Sequence, residues 1–289
     1  MNPIVAEIFP YLTKVLANKA EILDYKWIVK VVRDAYGVLY EDAMYKSAYE
    51  DIQKANRTSD QDLFTPENYP MPFEKFFFVV EVYEKIPHEE SRYEVFQFQR
   101  IGGRLTCNLY TFFKQPVGLK TRPIVTLNCI AFQEDGKFTF EAETCVGSAY
   151  MLERLDLPLP DGSASWGEHF SNTAYYALVC ATYGMFGPVS DTQHYYSTTN
   201  PDPIRNAQKI ARGNRPKFEW VSSVIEPRTT APALVLHRGG THASPKPHER
   251  RAHFRRLKSG KSVLVRSTVI NKDKMGDRGF VFHDYKLSA

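Results

Sequence analysis

The sequence predicts an α+β protein, with N-terminal helices, a central, mostly antiparallel sheet with a buried helix, and a basic C-terminal β module. Three observations carry this. Apolar residues recur at helical spacing near the N-terminus, period-2 aromatic and β-branched runs fill 73–144, and the balance of charge changes sign near residue 203. A chain of 289 residues is long enough for one large domain or two small ones. Its aromatic content of 13% favours β-rich structure with well-filled cores.

Residues 3–56 carry a helical pattern. Ile4, Ile8, Leu12 and Leu16 fall near one stripe, with Pro10 as a kink point. "YKWIVKVVRDAYGVLYEDAMYKSAYEDIQKA" continues that stripe, and Gly37 divides it into two helices. The polar, Pro-containing stretch 56–72 is a loop. Strands are expected at 73–84, 93–101, 104–115, 122–133 and 136–144, separated in part by the turn signals "IGGR" and "EDGK". The apolar density of 163–186 predicts a helix packed on that sheet, and 187–203 is a loop. Beyond it come a short basic helix, a strand at 217–225, an irregular connector, a hairpin joined at "KSGK" and a closing strand at 279–287. The organisation is an acidic α+β body over 1–202 and a basic β module over 203–289, whose strands can also extend the earlier sheet.

Composition narrows the function classes. No apolar run approaches the roughly 18 residues of a membrane helix, and "MNPIVAEIFPYLTKVLANKAEIL" has no small-residue cleavage site. Cys107, Cys129, Cys145 and Cys180 are widely spaced without a CxxC, so they read as buried thiols of a reducing compartment. A cytoplasmic location follows as the expectation. No P-loop, Rossmann fingerprint or nucleophile elbow occurs, and no cofactor is expected. Residues 205–289 hold 19 Lys/Arg against 6 Asp/Glu, a net +13, while 1–204 carries −9. An acidic body bearing a basic module points to an anionic partner, or to mutual attraction of the two parts.

The basic charge concentrates in "THASPKPHERRAHFRRLKSGKSVLVRS", 241–267, with eight Lys/Arg and three His in 27 positions. A metal site fits poorly. His237, His242, His248 and His253 come without cysteine, and "HERRAH" spaces its histidines at i, i+5, where HExxH needs i, i+4 on one helix face. Catalysis remains open: His248 and His253 among arginines suit acid–base work on a phosphodiester without metal, the pattern of a metal-independent nuclease. Binding needs less. Arg250, Arg251, Arg255, Arg256, Lys258, Lys261 and Arg266 on a β-ribbon would contact phosphate, with His248 and His253 adding hydrogen bonds. A purely structural role stands beside these, with the cations set against acidic residues of the body and their stems covering apolar surface.

The C-terminal third resembles a family of uncharacterised accessory proteins of tailed bacteriophages and prophages. The stretches that carry the resemblance are "RNAQKIARGNRPKFEW" (205–220), "GTHASPKPHERRAHFRRLKSGKSVLVRSTVIN" (240–271) and "GFVFHDYKL" (279–287). Where many relatives carry an aromatic in the hairpin, this chain has Phe254 and Leu264. The resemblance implies a phage-encoded, non-virion protein acting in the host cytoplasm and brings no catalytic residue. Nucleic acid, or a host complex bound to it, is the expected partner, with no membrane role. An interaction module that inhibits a host factor through the acidic body is a further reading. Two other features are read as structural: the carboxylates Glu81, Glu84, Glu89, Glu90 and Glu94 as a solvated strand edge and turn, and Trp27, Trp166 and Trp220 as core.

Overall fold

Strands that are apolar on both sides must be covered on both sides, and that requirement sets this architecture. In "KFFFVVEV" every residue from Phe76 to Val80 is buried. The computed structural model describes residues 2–16, 21–22, 25–31, 65–82, 92–115, 118–119, 126–134, 137–145, 166–186, 190–193, 204–205, 208, 212, 220–227, 248–270 and 282–287. They form a mixed sheet with a helix on each face. In chain order the elements are α1 (Pro3–Val15), β1 (Lys26–Val31), β2 (Lys75–Val82), β3 (Arg92–Ile101), β4 (Arg104–Gln115), β5 (Gly118–Leu119), β6 (Thr126–Glu134) and β7 (Lys137–Cys145). Then follow α2 (Trp166–Phe186), β8 (Ser190–Gln193), β9 (Trp220–Pro227), β10 (His248–Arg250), β11 (His253–Arg256), β12 (Ser262–Val265), β13 (Thr268–Ile270) and β14 (Phe282–Leu287).

The main sheet runs β7-β6-β4-β3-β2-β1-β14-β9-β8, with β5 beside β4. Its pairings are antiparallel except for the central group β2-β1-β14-β9, which is parallel. The α+β class is therefore observed, and the meander β2–β3–β4–β6–β7 is the one its alternating runs predict. One face of the sheet, through Ile28, Phe76, Phe78, Phe96, Phe98, Cys107 and Leu109, packs under α2. The other, through Trp27, Val29, Phe77, Val79, Val95 and Phe112, packs under α1. Gly184 marks the close approach of α2 to the sheet, since a Cβ there would lie 2.3 Å from Leu287 Cδ1.

Three expectations are corrected. Lys26–Val31 is not helical but forms β1, an inner strand. "KWIVKV" sends Trp27 and Val29 to one core and Ile28 to the other, and such two-sided burial leaves no polar face for a period to reveal. The remainder of the predicted helical region, 32–56, lies outside the described residues. Within the expected loop 187–203, Ser190–Gln193 pairs with β9 as an edge strand, so hydrogen bonding there overrides turn-rich composition. Glu81 and Glu94, read as solvated, are buried with partners, because β2 and β3 are inner strands covered on both faces. Glu84, Glu89 and Glu90 lie outside the described residues.

The start of α1 meets β14 at the sheet centre. Asn2 caps α1 by accepting from the Ile4 N–H at 2.9 Å, and Pro3 takes the first helical position, where a missing N–H costs nothing. The Asn2 N–H in turn donates to Asp284 Oδ2 at 2.9 Å, placing a buried carboxylate of β14 at the positive end of α1. Helix α1 runs through Pro10 to Val15 without interruption.

Past α1, the same sheet face holds a buried polar network. Gln97 is its hub: Oε1 accepts from Tyr110 Oη at 2.7 Å and from Asn108 Nδ2 at 3.2 Å, and Nε2 donates to Tyr25 Oη. The Tyr25 hydroxyl then donates to Gln99 Oε1 at 2.5 Å. Burial chiefly, and then the neighbouring Tyr25, hold the Tyr110 phenol well above its usual pKa. Cys107 and Cys180 are buried thiols. No helix among them is long and apolar enough to cross a membrane.

Candidate nucleic-acid interface

The His/Arg block forms a two-stranded ribbon, as its alternation and "KSGK" turn predict. Strand β11 pairs with β12 from His253↔Val265 to Arg256↔Ser262, and β10 pairs with β13 from His248↔Ile270 to Arg250↔Thr268. The two ladders share one register. Between them Arg251–Ala252 and Arg266–Ser267 leave the ladder. At the far end the Leu257 N–H donates to Lys261 O at 2.8 Å, and the Gly260 N–H to Leu257 O at 3.0 Å. Gly260 has φ 84°, the left-handed position that closes a three-residue hairpin loop and that a side chain would strain.

The break in the ladder is the anchor. Ala252 is 1% exposed, and its N–H donates to Pro72 O at 3.1 Å. The receiving segment, 65–74, is held by Arg100. Its Nη1 donates to the carbonyls of Pro66 at 2.8 Å and Glu67 at 2.7 Å, and its Nη2 to that of Tyr69 at 3.1 Å. Its Nε lies 3.9 Å from Glu74 Oε2. Burial lowers the pKa of this guanidinium; Glu74 opposes the shift, and nearby Arg266 adds to it. It stays charged, since arginine does not lose its proton in proteins. Beyond Ala252 nothing is buried: every side chain described from His253 to Ile270 is half-buried or exposed.

The predicted contact residues distribute as follows. Arg250, Arg255, Lys258, Lys261 and Arg266 are exposed, and Arg251 is half-buried. The side chains of Arg256 and His248 lie outside the described residues, although both backbones are in strands. Arg250, Arg251, Arg255, Lys258 and Arg266 have no carboxylate at ion-pairing distance among the described residues. On one face of the β11–β12 pair stand His253, Arg255, Val263 and Val265, and the other carries Phe254 and Leu264. Leu257, 37% exposed, and Val269, 38% exposed, leave apolar surface on the ribbon.

His253 is the histidine whose surroundings are defined. Its Nε2 lies 3.3 Å from Arg250 Nη2 and its Nδ1 3.4 Å from Arg251 O. An arginine donates only, so Nε2 is the acceptor, and Nδ1–H is directed to the carbonyl. Both ring nitrogens are thus turned to the ribbon's own break. "HERRAH" is extended rather than helical, so the HExxH geometry is not formed. Among the described residues no group of three or more His, Cys, Asp or Glu is placed to hold a metal.

One contributor escapes sequence reading. Ala252 reads as one small residue among arginines, although its backbone N–H ties the ribbon to Pro72. Comparison of the chain with protein-family models, curated proteins and solved structures gives no match.

Proposed function

We propose that this protein binds nucleic acid, or a host complex carrying it, through the ribbon 248–270, as an accessory protein of a tailed bacteriophage. The observation that carries the reading is a two-stranded ribbon with five exposed cations, four of which have no carboxylate partner among the described residues. Unpaired cations held on one element make a phosphate-tracking surface, and an arginine fork matches phosphate oxygens. A role limited to internal charge pairing would set those cations against acidic groups. The phage origin and the host cytoplasm as place of action rest on the resemblance of the C-terminal third.

The test is a fluorescence-anisotropy titration of the whole chain against labelled oligonucleotides at several salt concentrations. Four or five phosphate contacts would make log K fall against log salt with a slope of about −3.6 to −4.5 on duplex DNA. That is a loss of roughly 10²–10³-fold between 50 and 200 mM. Absence of binding at low salt would sink the reading. Recovery of the probe on a denaturing gel separates binding from cleavage. Cleavage abolished by His253→Ala with affinity retained would establish the metal-independent nuclease instead.

A further inference from the structure

We infer that the occupant of the ribbon is double-stranded DNA, with the β11–β12 hairpin entering the major groove tip first. This rests on the nucleic-acid reading above and goes beyond it by naming the form bound and the groove.

The first argument is size. Paired strands lie about 4.8 Å apart, so a two-stranded ribbon with its side chains fits a major groove about 12 Å wide. From Ala252 to the turn at Lys258–Gly260 the ribbon extends about 20 Å at strand rise, well beyond the groove's depth of roughly 8.5 Å. Leu257 to Lys261, which form the tip, are all exposed, so the turn is free to enter.

The second argument is what the ribbon lacks. Single-strand binders hold bases on aromatic platforms. Phe254 is the ribbon's one Phe, Tyr or Trp, and it is half-buried. Arg255 instead stands exposed on the face it shares with the half-buried His253, Val263 and Val265. An exposed arginine suits a guanine edge, with O6 and N7 as acceptors. Lys258 and Lys261, exposed at the turn, would meet phosphates of the groove walls, and Arg250 and Arg266, farther from the tip than the groove is deep, would meet the backbone at its rim. A-form RNA offers no equivalent, because its major groove is too deep and narrow for side chains to read.

The experiment compares duplex DNA, duplex RNA and single-stranded DNA of one length and sequence at fixed salt, and adds dimethyl sulfate footprinting of guanine N7 on the duplex. The inference expects duplex DNA to bind at least tenfold more tightly than the other two, with N7 protected in the complex. Arg255→Ala should remove that protection while keeping the salt slope, and Lys258→Ala should flatten the slope by about 1. Both sites are exposed, and circular dichroism verifies their folds. Equal affinity for duplex DNA and RNA, preference for the single strand, or unprotected N7 would overturn groove entry while leaving nucleic-acid binding intact. No binding to any probe would overturn both.

Discussion

β2 and β11 each pair with the strand that follows them in an antiparallel ladder, yet they are built for opposite ends. In β2 five consecutive residues, Phe76 to Val80, are buried, because α1 covers one face and α2 the other. In β11 no described side chain is buried, and arginine and histidine interleave with Phe254. A strand covered on both faces contributes apolar area, and its register is fixed by packing. A ribbon only partly covered on either face gains less from burial and depends more on its ladder, its turn and its anchor. Stability should therefore reside in the first region and binding in the second.

The sharpest way to break that division is in the core. Phe98 sits 5.1 Å from the Phe76 ring and 6.2 Å from those of Phe96 and Phe140, fully buried under α2. Phe98→Ala should cost about 3–5 kcal/mol in equilibrium unfolding, the range for truncating a buried aromatic. A much smaller loss would mean that this face of the sheet is loosely packed.

Next comes the hub of the polar network. Gln97→Leu keeps the volume approximately but strips partners from Tyr25, Tyr110 and Asn108. A loss of about 2–3 kcal/mol is expected, since a buried group left unpaired costs about 1–3 kcal/mol. The same network gives a pH signature. Tyr110's pKa is raised in the folded state, so the native chain keeps a proton that the unfolded chain sheds above pH ~10. Its contribution is complete below that pH. Above it stability falls by up to about 1.4 kcal/mol per pH unit from this group. Tyr110→Phe should remove that part of the alkaline slope in urea titrations across pH 9–11.

Between the two regions stands Arg100, which belongs to the body but holds the segment on which the ribbon is anchored. Arg100→Ala releases the carbonyls of Pro66, Glu67 and Tyr69 and should cost roughly 1–3 kcal/mol. Because Ala252 bonds to Pro72 in that segment, amide exchange at Ala252 should accelerate as well. Global destabilisation with Ala252 still protected would show that the anchor does not depend on the clamp.

What could be read from sequence follows the same division. Strands β2, β3, β4 and the ribbon hairpin were legible, because β-branched and aromatic runs end at Gly-containing turns, "IGGR" and "KSGK". The helix over 166–186 was legible from apolar density alone. β1 was not, since "KWIVKV" feeds two cores at once and its periodicity points equally well to a helix. Nor was the insertion of β14 between β1 and β9, which joins positions at opposite ends of the chain. In the ribbon, the cations were legible because charge density is a local property. The anchoring of Ala252 was not, because it depends on Pro72, a neighbour remote in sequence.

The smallest stability effect expected is at the ribbon's tip, and it is the most discriminating. Lys258 is exposed, lies in the three-residue turn and has no carboxylate partner among the described residues. Lys258→Ala should leave unfolding within about 0.5 kcal/mol of the parent, as for a surface site without special contacts. Gly260→Ala in the same turn should cost more, about 1 kcal/mol, because φ 84° suits glycine. If the ribbon is an independent arm, that strain stays local: the Phe98 core keeps its hydrogen-exchange protection while the β11–β12 ladder loosens. If instead the core loses protection in proportion, ribbon and sheet unfold as one unit, and the division between the two regions would hold for function but not for stability.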